Sequence, residues 1–558
     1  MTAGTTGAEG CLITDRLFEI AEKDCDRELI VDPVFGRFTY GDIAQQVERL
    51  AHGLRHYGIG PGDLVVLQLP NWTPFLTFHL ALTAIGAVTV NIPIVYREHE
   101  LTRIFALTEA KALVLPARFR GHDYKAMGAA LRRDNASLEQ VFLVGLDAAG
   151  EAPGLVGYEA LMRHSWESQA GAAPPSTLGP GLGDMTAIGF TSGTTGDLKG
   201  AIFDTEVLIA TNKGLMDRYG LNQDDRVFSC SPLGHAIGFT HALRMTFTIG
   251  GSITLLEYWD PGPAIELLHQ ERCTYMAAAT PFLIDTIKHP ALRACGGLPA
   301  LRVFLCGGTS VPEQLVRDAR VALPETFTSP LWGMTECGGV TTCPFDAPEE
   351  KLYTTDGLPC GGMELKVVDP EGDTLPPGAD GELMARGPMV TRGYYRQPEL
   401  TAESYLADGY FRTGDQARLD ADGYVKITGR IKDLIIRGGV NISPVEIENV
   451  IFSHPKVLNV AVVGMPDPRL GERSCAFIIL KDGPKGGPKG GQSLDLAEMR
   501  DWMARAGVAK PKWPERVELV DELPTTPSGK VQKFRLRQII AKRIAAEESG
   551  RIARDAGG

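Results

Sequence analysis

Thr191-Ser192-Gly193-Thr194-Thr195-Gly196-Asp197-Leu198-Lys199-Gly200 follows the apolar run 187–190, and the rest of the chain is organised around this stretch. A strand that opens into a loop of glycines and hydroxyls offers backbone N–H groups, hydroxyl side chains and a lysine to one cluster of phosphate oxygens. The stretch differs from a Walker P-loop, because Asp197 and Leu198 separate the second glycine from Lys199, and Gly200 follows the lysine. Taken alone, it fits a phosphate-binding loop and a Gly/Thr surface turn equally well.

Length and composition limit the possible classes of protein. At 558 residues the chain is too long for one core, so we expect two or more domains. The net charge of −13 argues against a nucleic-acid or anionic-membrane partner. Ten cysteines without a C-x-x-C pair indicate neither a zinc site nor a disulfide framework, and a reducing cytosol fits best. The N-terminus lacks a signal-peptide pattern, and the most apolar window, 80–95, is short and interrupted. We therefore predict a cytoplasmic protein without a transmembrane segment.

Short apolar strands alternate with helical patterns through the first part of the chain. The predicted strands are 65–69, 87–92, 112–115, 140–144, 226–230, 252–256, 275–278 and 302–308. Helical periods lie between several of them, for example at 74–85. This alternation predicts a doubly wound α/β sheet, whose ligands collect at the carboxyl ends of the strands. Residues 145–183 are rich in Ala, Gly, Pro and Ser and are expected to form a surface connection.

Two changes of pattern divide the chain. From about residue 362 the pattern becomes β-rich, and after Lys432 a shorter pattern follows, with helices 444–452 and 494–504 and strands 457–463 and 475–480. We predict a large N-terminal domain, 1–431, of doubly wound sheets plus a β-rich subdomain, and a small mobile α+β C-terminal domain, 432–558. The Lys/Gly/Pro run 481–491 is expected to be a solvated loop, and the charged tail from Arg543 is expected to be loose.

Four further motifs accompany the Gly/Thr stretch. They are Trp332-Gly333-Met334-Thr335-Glu336, Tyr410-Phe411-Arg412-Thr413-Gly414-Asp415, the nearly gapless run 429–448 and Pro524-Thr525-Thr526-Pro527-Ser528-Gly529-Lys530-Val531-Gln532-Lys533. In this order and spacing the five motifs resemble the adenylate-forming superfamily of acyl-CoA synthetases, peptide-synthetase adenylation domains and luciferases, over roughly residues 15–537. The resemblance implies activation of a carboxylic acid by ATP to an acyl-AMP, followed by transfer to a thiol.

The resemblance also implies roles for individual residues. It assigns ATP binding to Thr191, Ser192, Gly193, Thr194, Thr195, Gly196, Lys199, Gly307, Gly308, Thr309, Trp332, Gly333, Met334, Thr335, Asp415 and Arg430. Lys530, His235, Thr335 and Glu336 become the catalytic residues, and Glu336 with Thr191 would hold Mg²⁺. Asp415 would bind the ribose hydroxyls, with Arg430 close to it. Each residue also has a structural alternative: Asp415 as a turn former, Glu336 as a solvated helix start, Lys530 as an exposed lysine and His235 as a hydrogen-bonded structural side chain.

The sequence departs from the family pattern at two places. Trp332 stands where the family more often has tyrosine; either ring can stack on adenine, but the phenol is lost. Asp204 and Thr205 stand where relatives often carry a histidine, and the sequence offers no reason for this change.

The acyl pocket is expected to be built from His235, Ile237, Gly238, Phe239, Gly307, Met334, Cys337, Gly338 and Gly339. No aspartate lies near His235 to hold a substrate ammonium, which argues against an amino-acid substrate. Apolar walls, with Gly238, Gly338 and Gly339 leaving space, favour an uncharged, compact acid: alicyclic, aromatic or medium-chain. The chain is most similar in this respect to cyclohexanecarboxylate, aryl and medium-chain acyl-CoA ligases.

The thiol acceptor is predicted from the small domain. Lys432 matches the hinge position, and Gly438 and Gly439 would line a tunnel for the thiol. Lys510 begins a basic turn that favours coenzyme A. Enzymes that load a carrier-protein phosphopantetheine share most of these features. A non-catalytic nucleotide-binding protein is a third interpretation, against which the retention of Glu336, Asp415 and Lys530 argues. The sequence leaves the oligomeric state open, a homodimer included.

Overall fold

The computed structural model describes residues 10–146, 153–168, 179–192, 198–481, 493–526 and 529–556. The predictions for Gly193, Thr194, Thr195 and Gly196, for the side chain of Ser192, and for the solvated loop beyond Lys481 lie outside these residues. Among the helices in these ranges, none combines the length and apolarity that a membrane crossing needs.

A seven-stranded sheet contains the Gly/Thr stretch at its edge. Its strands, in spatial order, are β11 (Leu198–Asp204), β10 (Met185–Ser192), β4 (Val88–Asn91), β3 (Leu64–Leu67), β5 (Ala112–Pro116), β8 (Gln140–Val144) and β9 (Leu155–Gly157). All neighbours are parallel except β10 and β11, which form an antiparallel hairpin. The sheet therefore ends in a pair of strands whose connection is the Gly/Thr loop.

A nine-stranded sheet forms the second layer of the large domain. Its strands, in spatial order, are β18 (Leu358–Pro359), β17 (Gly338–Thr342), β16 (Phe327–Met334), β15 (Val303–Gly307), β14 (Tyr275–Ala279), β12 (Arg226–Ser229), β13 (Ser252–Leu255), β1 (Glu28–Asp32) and β2 (Gly36–Thr39). Its central strands are parallel, as the strand-helix alternation predicts. A separate two-stranded ribbon joins β6 (Arg118–Phe119) and β7 (His122–Asp123).

The β-rich subdomain and the C-terminal domain follow in the predicted order. Four antiparallel strands form the subdomain: β19 (Glu364–Val368), β20 (Asp380–Arg386), β21 (Phe411–Leu419) and β22 (Val425–Arg430). The C-terminal sheet contains β23 (Ile435–Arg437), β24 (Val440–Ile442), β25 (Val457–Asp467), β26 (Gly471–Leu480) and β27 (Arg516–Leu519).

Helices cover the sheets. They are α1 (Ile13–Lys23), α2 (Tyr40–His56), α3 (Thr73–Ala84), α4 (Glu98–Thr108), α5 (Tyr124–Asp134), α6 (Tyr158–Arg163), α7 (Thr205–Tyr219), α8 (Ala236–Gly238), α9 (Met245–Ile249), α10 (Pro261–Gln270), α11 (Thr280–Lys288), α12 (Ala291–Ala294), α13 (Glu313–Ala322), α14 (Glu349–Thr354), α15 (Pro398–Ser404), α16 (Pro444–Phe452), α17 (Leu496–Arg505) and α18 (Lys533–Ala556). A π-helical turn, Phe239–Arg244, joins α8 to α9. Every residue of α3 is buried, which is why its sequence is apolar on all sides.

Two regional predictions are wrong. The tail from Arg543 is not loose, because α18 continues to Ala556. Arg543 pairs with Glu518 of β27, and Leu536 and Ile540 are buried against the C-terminal sheet. The connection 145–183 also contains regular structure, since β9 joins the sheet edge and α6 follows it. Residues 147–152 and 169–178 of that connection lie outside the described ranges.

Candidate active site

The ends of the Gly/Thr loop are fixed by the β10–β11 hairpin. Thr191 pairs with Lys199 across the hairpin, so the hydroxyl and the ammonium that were assigned to phosphate belong to the two strands that open into the loop. The β16–β17 hairpin lies against this region, because a Cβ at Gly189 would lie 3.3 Å from Thr335 Cγ2. The structure therefore brings two of the five motifs together.

The Trp332–Glu336 motif spans the end of a strand and the turn after it. Trp332, Gly333 and Met334 end β16, and residues 335–337 form the turn into β17. A Cβ at Gly333 would lie 2.0 Å from the carbonyl oxygen of Gly338, so only glycine fits there. The hairpin turn presents Thr335 and Glu336 beside a half-buried Met334.

Trp332 holds the carboxylate that was assigned to the ribose. Its indole Nε1–H donates to Asp415 Oδ2 at 2.8 Å, and Arg430 Nε lies 3.0 Å from Asp415 Oδ1. Asp415 is only 4% exposed and lies within β21, directly after Gly414, whose φ is positive. The sequence suggested only stacking for Trp332, so this hydrogen bond was not predicted. Trp332 thus supplies a hydrogen-bond donor of its own at this position.

Glu336 has a partner that the sequence analysis also missed. Tyr394 Oη donates to Glu336 Oε1 at 2.9 Å, and Lys199 Nζ lies 5.4 Å from the centre of the Tyr394 ring. Burial and the adjacent Glu336 carboxylate raise the pKa of Tyr394 well above its usual value. The Tyr394 side chain therefore lies between Glu336, the predicted metal ligand, and Lys199, the lysine that follows the Gly/Thr loop. No local pattern could reveal it, since Tyr394 and Glu336 are 58 residues apart.

Lys530 reaches the large domain from the loop before α18. A Cβ at Gly529 would lie 3.3 Å from the Ala279 side chain at the carboxyl end of β14. Burial and then the positive charge of Arg430 lower the pKa of Lys530 to about 8. Burial and then the charge of Lys530 lower the pKa of His235 to about 4. The structure thus places the two predicted catalytic residues close enough to influence each other. His235 Nδ1 also accepts from Ile237 N at 3.4 Å, so the histidine begins α8 as well.

Cations dominate the centre of the site. Burial is the main cause that lowers the pKa values of Lys432 and Lys530. Arg430 and then Lys199 lower the pKa of Lys432 further, and Arg430 and then Lys432 lower that of Lys530 further. Asp415 and Asp433 oppose these shifts without cancelling them. Such a cluster favours a polyanion.

The residues present fit a magnesium ion held jointly with phosphate. No group of three or more His, Cys, Asp or Glu side chains in the described ranges could enclose a metal. Mg²⁺ is usually bound by one or two carboxylates together with substrate phosphates, so one buried carboxylate beside the phosphate loop is sufficient. Glu336, 5% exposed, provides it, and the half-buried Thr191 lies at the end of β10.

The glycines of the predicted acyl pocket are explained by packing. A Cβ at Gly238 would lie 2.3 Å from the Pro232 carbonyl oxygen, and one at Gly307 would lie 2.2 Å from that of Leu331. Gly338 has φ +65° and would meet Thr211 Cγ2 at 2.7 Å. A side chain at Gly338 would therefore strain the fold before it filled a pocket. Gly308 also has a positive φ, and the neighbouring Thr309 hydroxyl lies 2.6 Å from that of Thr280.

Apolar side chains line the same region. Phe239 is buried at the start of the π-helical turn, and Ile237 is half-buried two residues earlier. Burial raises the pKa of the Cys337 thiol far above its usual value, so this cysteine is a neutral packing residue.

The hinge and thiol residues lie on turns of the small domain. Lys432 is in a 3-10 turn, Ile431–Asp433, and Arg537 Nη2 from α18 donates to the Asp433 carbonyl at 3.0 Å. Gly438 and Gly439 form the two-residue turn between β23 and β24, where both φ values are positive. A tight hairpin alone therefore explains the glycine pair. Lys510 is exposed at the start of the 3-10 turn Lys510–Lys512.

The structure explains why an aspartate stands at position 204. Asp204 Oδ1 accepts from Val207 N at 2.7 Å and so caps α7. Its Oδ2 lies 2.6 Å from Arg392 Nε, which ties α7 to the segment that carries Tyr394. A histidine could not cap α7 and pair with Arg392 at once.

Comparisons with known proteins agree with this geometry. The family of AMP-binding enzymes matches residues 17–395, and the AMP-binding enzyme C-terminal domain matches residues 446–530. The chain is 36% identical over 526 residues to the medium-chain fatty-acid–CoA ligase of Escherichia coli (strain K12), covering 94% of this chain and 89% of that protein. It is 32% identical to a salicylyl-CoA synthase / salicylate adenylyltransferase of Streptomyces sp, covering 96% and 94%. The crystal structure of ATP-bound MatB from Rhodopseudomonas palustris superposes with a TM-score of 0.80 at 27% identity, covering 94% and 98%.

Proposed function

Because the chain belongs to the AMP-binding enzyme family, among its adenylate-forming acyl- and aryl-CoA ligases, we propose that it converts a compact apolar carboxylic acid into its coenzyme A thioester. The acid would be alicyclic, aromatic or medium-chain. The observation that carries the proposal is the packing of Gly529, next to Lys530, against Ala279 at the carboxyl end of β14, where burial and the charge of Arg430 lower the pKa of Lys530.

The first half-reaction joins two anions. A carboxylate oxygen attacks the α-phosphorus of ATP, and the bond from that phosphorus to pyrophosphate breaks, giving acyl-AMP and pyrophosphate. Lys199, Arg430, Lys432 and Lys530 offset the repulsion between substrates. Lys530, with a pKa of about 8 in the free site, is charged at neutral pH and gains an anionic partner when the substrates bind.

Other residues orient the nucleotide. Asp415, held by Trp332 and Arg430, presents its remaining lone pairs to the ribose hydroxyls. Glu336 and Thr191 would hold Mg²⁺, which supplies positive charge to the phosphate oxygens. Tyr394 keeps the Glu336 carboxylate in place. His235 is neutral at pH 7 and can donate a hydrogen bond to the acid without adding charge.

The second half-reaction needs a thiol. Its sulfur attacks the acyl carbonyl carbon, and the bond from that carbon to AMP breaks. Lys432 would act as the hinge that turns the small domain, and Gly438, Gly439 and Lys510 would meet the acceptor. Coenzyme A is the preferred acceptor because a medium-chain fatty-acid–CoA ligase is among the relatives.

A carrier protein is the second candidate acceptor. One relative, at 32% identity, is named both a CoA synthase and an adenylyltransferase. Similarity to it therefore does not tell whether the acceptor is coenzyme A or a carrier protein. Acyl transfer to coenzyme A and to a phosphopantetheinylated carrier, measured side by side after adenylation, separates them.

ATP/pyrophosphate exchange tests the proposal directly. The purified protein is screened with benzoate, cyclohexanecarboxylate, octanoate, an amino acid and no acid. We expect acid-dependent exchange with at least one of the first three acids, and thioester formation when coenzyme A is added. Exchange with the amino acid alone, or none with any acid, would overturn the proposal.

A catalytic role for Lys530 gives a sharper prediction. Lys530→Ala should lower the adenylation rate by roughly a hundred- to thousandfold, because it removes a preorganised donor from the reacting centre. Thioester formation from supplied acyl-AMP should be largely retained, since that step does not use the ammonium. Unchanged pyrophosphate exchange in the variant would refute the assignment. Lys542→Ala, on the same α18 helix, is the control.

Two further expectations concern the cellular compartment and the oligomeric state of the protein. The ten cysteines all lie in the described part of the chain and form no disulfide with one another, and seven of them are buried, which supports a reducing compartment such as the cytoplasm. Sedimentation of the purified protein would decide whether it is a homodimer.

A further inference from the structure

Asn71 is a buried asparagine that connects the two large sheets. It lies in the connection between β3 and α3 and is 4% exposed. Its Nδ2 donates to the carbonyl oxygens of Ser231 and Leu256, both at 3.0 Å, and lies 3.4 Å from that of Ser229. Its Oδ1 accepts from Leu233 N at 2.8 Å. Because the partners of Nδ2 are all acceptors and the partner of Oδ1 is a donor, the amide has one orientation and both of its N–H groups are used.

The two residues after Asn71 make further bonds to the nine-stranded sheet. Trp72 Nε1 donates to Glu257 Oε1 at 2.6 Å, just beyond β13. The backbone N–H and the hydroxyl of Thr73 donate to Asp32 Oδ2, at 2.7 and 2.8 Å, at the end of β1. These bonds and those of Asn71 reach the carboxyl ends of three parallel strands, β1, β12 and β13. The segment is therefore fixed at the edge of the sheet where ligands collect.

Two of the hydrogen bonds of Asn71 are made to the loop 231–235, which carries His235. This loop leaves the carboxyl end of β12, and its last residue, His235, begins α8. The loop is also in close contact with the other sheet, because a Cβ at Gly234 would lie 2.1 Å from the carbonyl oxygen of Ile92, the residue after β4. The position of the loop thus depends on both sheets, and the bonds of Asn71 join them.

The loop 231–235 also contacts residues assigned to the acyl pocket. A Cβ at Gly238 would lie 2.6 Å from the Ser231 carbonyl oxygen, which is the atom that accepts from Asn71. Farther along α8, Ile237 Cδ1 would lie 3.2 Å from a Cβ at Gly308, beyond the end of β15. A shift of the loop would therefore move several of the residues assigned to the acid together.

Removal of the Asn71 amide would leave backbone groups of the loop without this partner. Ser231 and Leu233 are 2% and 0% exposed, so their carbonyl and N–H groups cannot reach water in the present conformation. Buried backbone groups without a partner are unfavourable, so the loop is expected to shift until they are satisfied. Such a shift would displace His235 at the end of the loop. A misplacement of about 1 Å at a reacting centre can cost roughly a hundredfold in rate.

We propose that Asn71 is a positioning residue, which holds the loop 231–235 so that His235 meets the carboxylate of the acid. The inference rests on the proposed function and adds to its site a residue outside the five motifs. Both N–H groups of Asn71 are bonded to backbone carbonyls, so Asn71 acts through the loop and has no free N–H for the substrate.

A double-mutant cycle tests the proposal. Pyrophosphate exchange is measured for the wild type, Asn71→Ala, His235→Ala and the double variant, with the most active of benzoate, cyclohexanecarboxylate and octanoate. We expect each single substitution to lower kcat/KM for the acid by roughly ten- to a hundredfold, while the KM for ATP changes little. The double variant should lose no more than the more impaired single variant, because a histidine that is absent cannot be misplaced. Effects that multiply would show that Asn71 acts independently of His235 and would overturn the positioning role.

A matched control and a second variant separate this role from a loss of stability. Thr274 ties the amino end of β12, since its hydroxyl donates to Asp225 Oδ1 at 2.7 Å and accepts from Arg226 N at 3.0 Å. Thr274→Val also removes hydrogen bonds inside the fold, but it should keep the wild-type kcat/KM. If Asn71→Ala does not fold, Asn71→Ser, which retains a small donor and acceptor, takes its place in the same cycle with the same result expected.

The remaining outcomes distinguish this inference from the proposed function. An unchanged kcat/KM for the acid in either folded single variant, with exchange in the wild type, would overturn the positioning role and leave the proposed function standing. No exchange by the wild type with any of the three acids would overturn both.

Discussion

Among single residues, the hydrogen bond between Trp332 and Asp415 links two of the five motifs. The indole N–H and the Arg430 guanidinium each hold one oxygen of the carboxylate. Asp415 therefore has one orientation before any nucleotide binds. A donor to a buried charged group contributes about 1.5–3 kcal/mol, so this contact is large enough to affect nucleotide affinity.

Trp332→Phe tests this role. The substitution keeps an aromatic face for stacking but removes the N–H donor, so we expect the KM for ATP to rise roughly tenfold or more while the KM for the acid changes little. Trp259→Phe is the matched control, because Trp259 Nε1 donates to Asp285 in the same way at 2.8 Å outside the site. An unchanged KM for ATP in Trp332→Phe would mean that Arg430 alone positions Asp415.

Some candidate site residues could be proposed from the sequence because they lie in recognisable motifs, and others could not. Lys530, Asp415, Glu336 and the Gly/Thr stretch lie in motifs whose residue order is informative without a structure. Tyr394 does not, because its interest comes from the Glu336 carboxylate that it contacts across the fold. A tyrosine outside the five motifs carries no local signal. The pocket glycines were interpreted incorrectly from the sequence. Gly238 was expected to leave space for a substrate, whereas the structure shows that the Pro232 carbonyl oxygen lies too close for any side chain at this position.

At the scale of elements, the segment between β22 and β23 connects the two domains. Its 3-10 turn, Ile431–Asp433, is bound to α18 through Arg537 and lies beside the Asp415–Arg430 pair. The same short segment therefore follows directly on Arg430, which pairs with Asp415, and is hydrogen-bonded to α18 of the small domain. If this segment is the hinge, as we propose, a change in its backbone would move Lys530.

Lys432→Pro should separate the two half-reactions. Proline fixes φ near −65°, which removes the backbone rotation that a hinge at this residue would need. Acyl-AMP formation should then be retained, while thioester formation should fall by tenfold or more because the turn cannot rotate. Lys432→Ala removes the same side chain and keeps backbone freedom, so it is the matched control. Equal loss of both half-reactions in the proline variant would place the hinge elsewhere.

Helices and strands were predicted well where the apolar periodicity and the residues at the two ends indicated the same range. Helix α16 matches its predicted range, since Ser443 caps it and Pro444 begins it. Strand β25 extends four residues beyond its predicted end, because pairing with β26 continues through polar residues to Asp467. Helix α18 was missed, because a charge-rich helix held by pairs such as Arg516–Glu547 has only a weak apolar period. Contacts with residues distant in sequence, and not the local sequence pattern, determine the length of β25 and the presence of α18.

In the molecule as a whole, two buried histidines, His79 and His241, and the half-buried His235 lie where the segment from His235 to Ile249 packs against the rest of the large domain. The folded state lowers the pKa values of His79, His235 and His241, mainly through burial. All three are therefore neutral inside the fold at neutral pH and able to take up a proton when the chain unfolds. This asymmetry makes the stability of the large domain depend on pH.

The sign of that dependence follows from proton binding. Between the ordinary histidine pKa of about 6.5 and the folded value of about 4 for His241, the unfolded chain binds more protons than the folded one. Stability is thus fully present above pH 6.5 and is lost as the pH falls toward 4, by up to about 3 kcal/mol for a fully buried group such as His241. His241→Gln, which cannot take up a proton, should show a smaller fall in Tm between pH 7 and 4.5 than the wild type. His99→Gln, on the exposed face of α4, should follow the wild-type curve. Scanning calorimetry at several pH values measures both, and parallel curves for wild type and His241→Gln would mean that His241 is protonated in the fold.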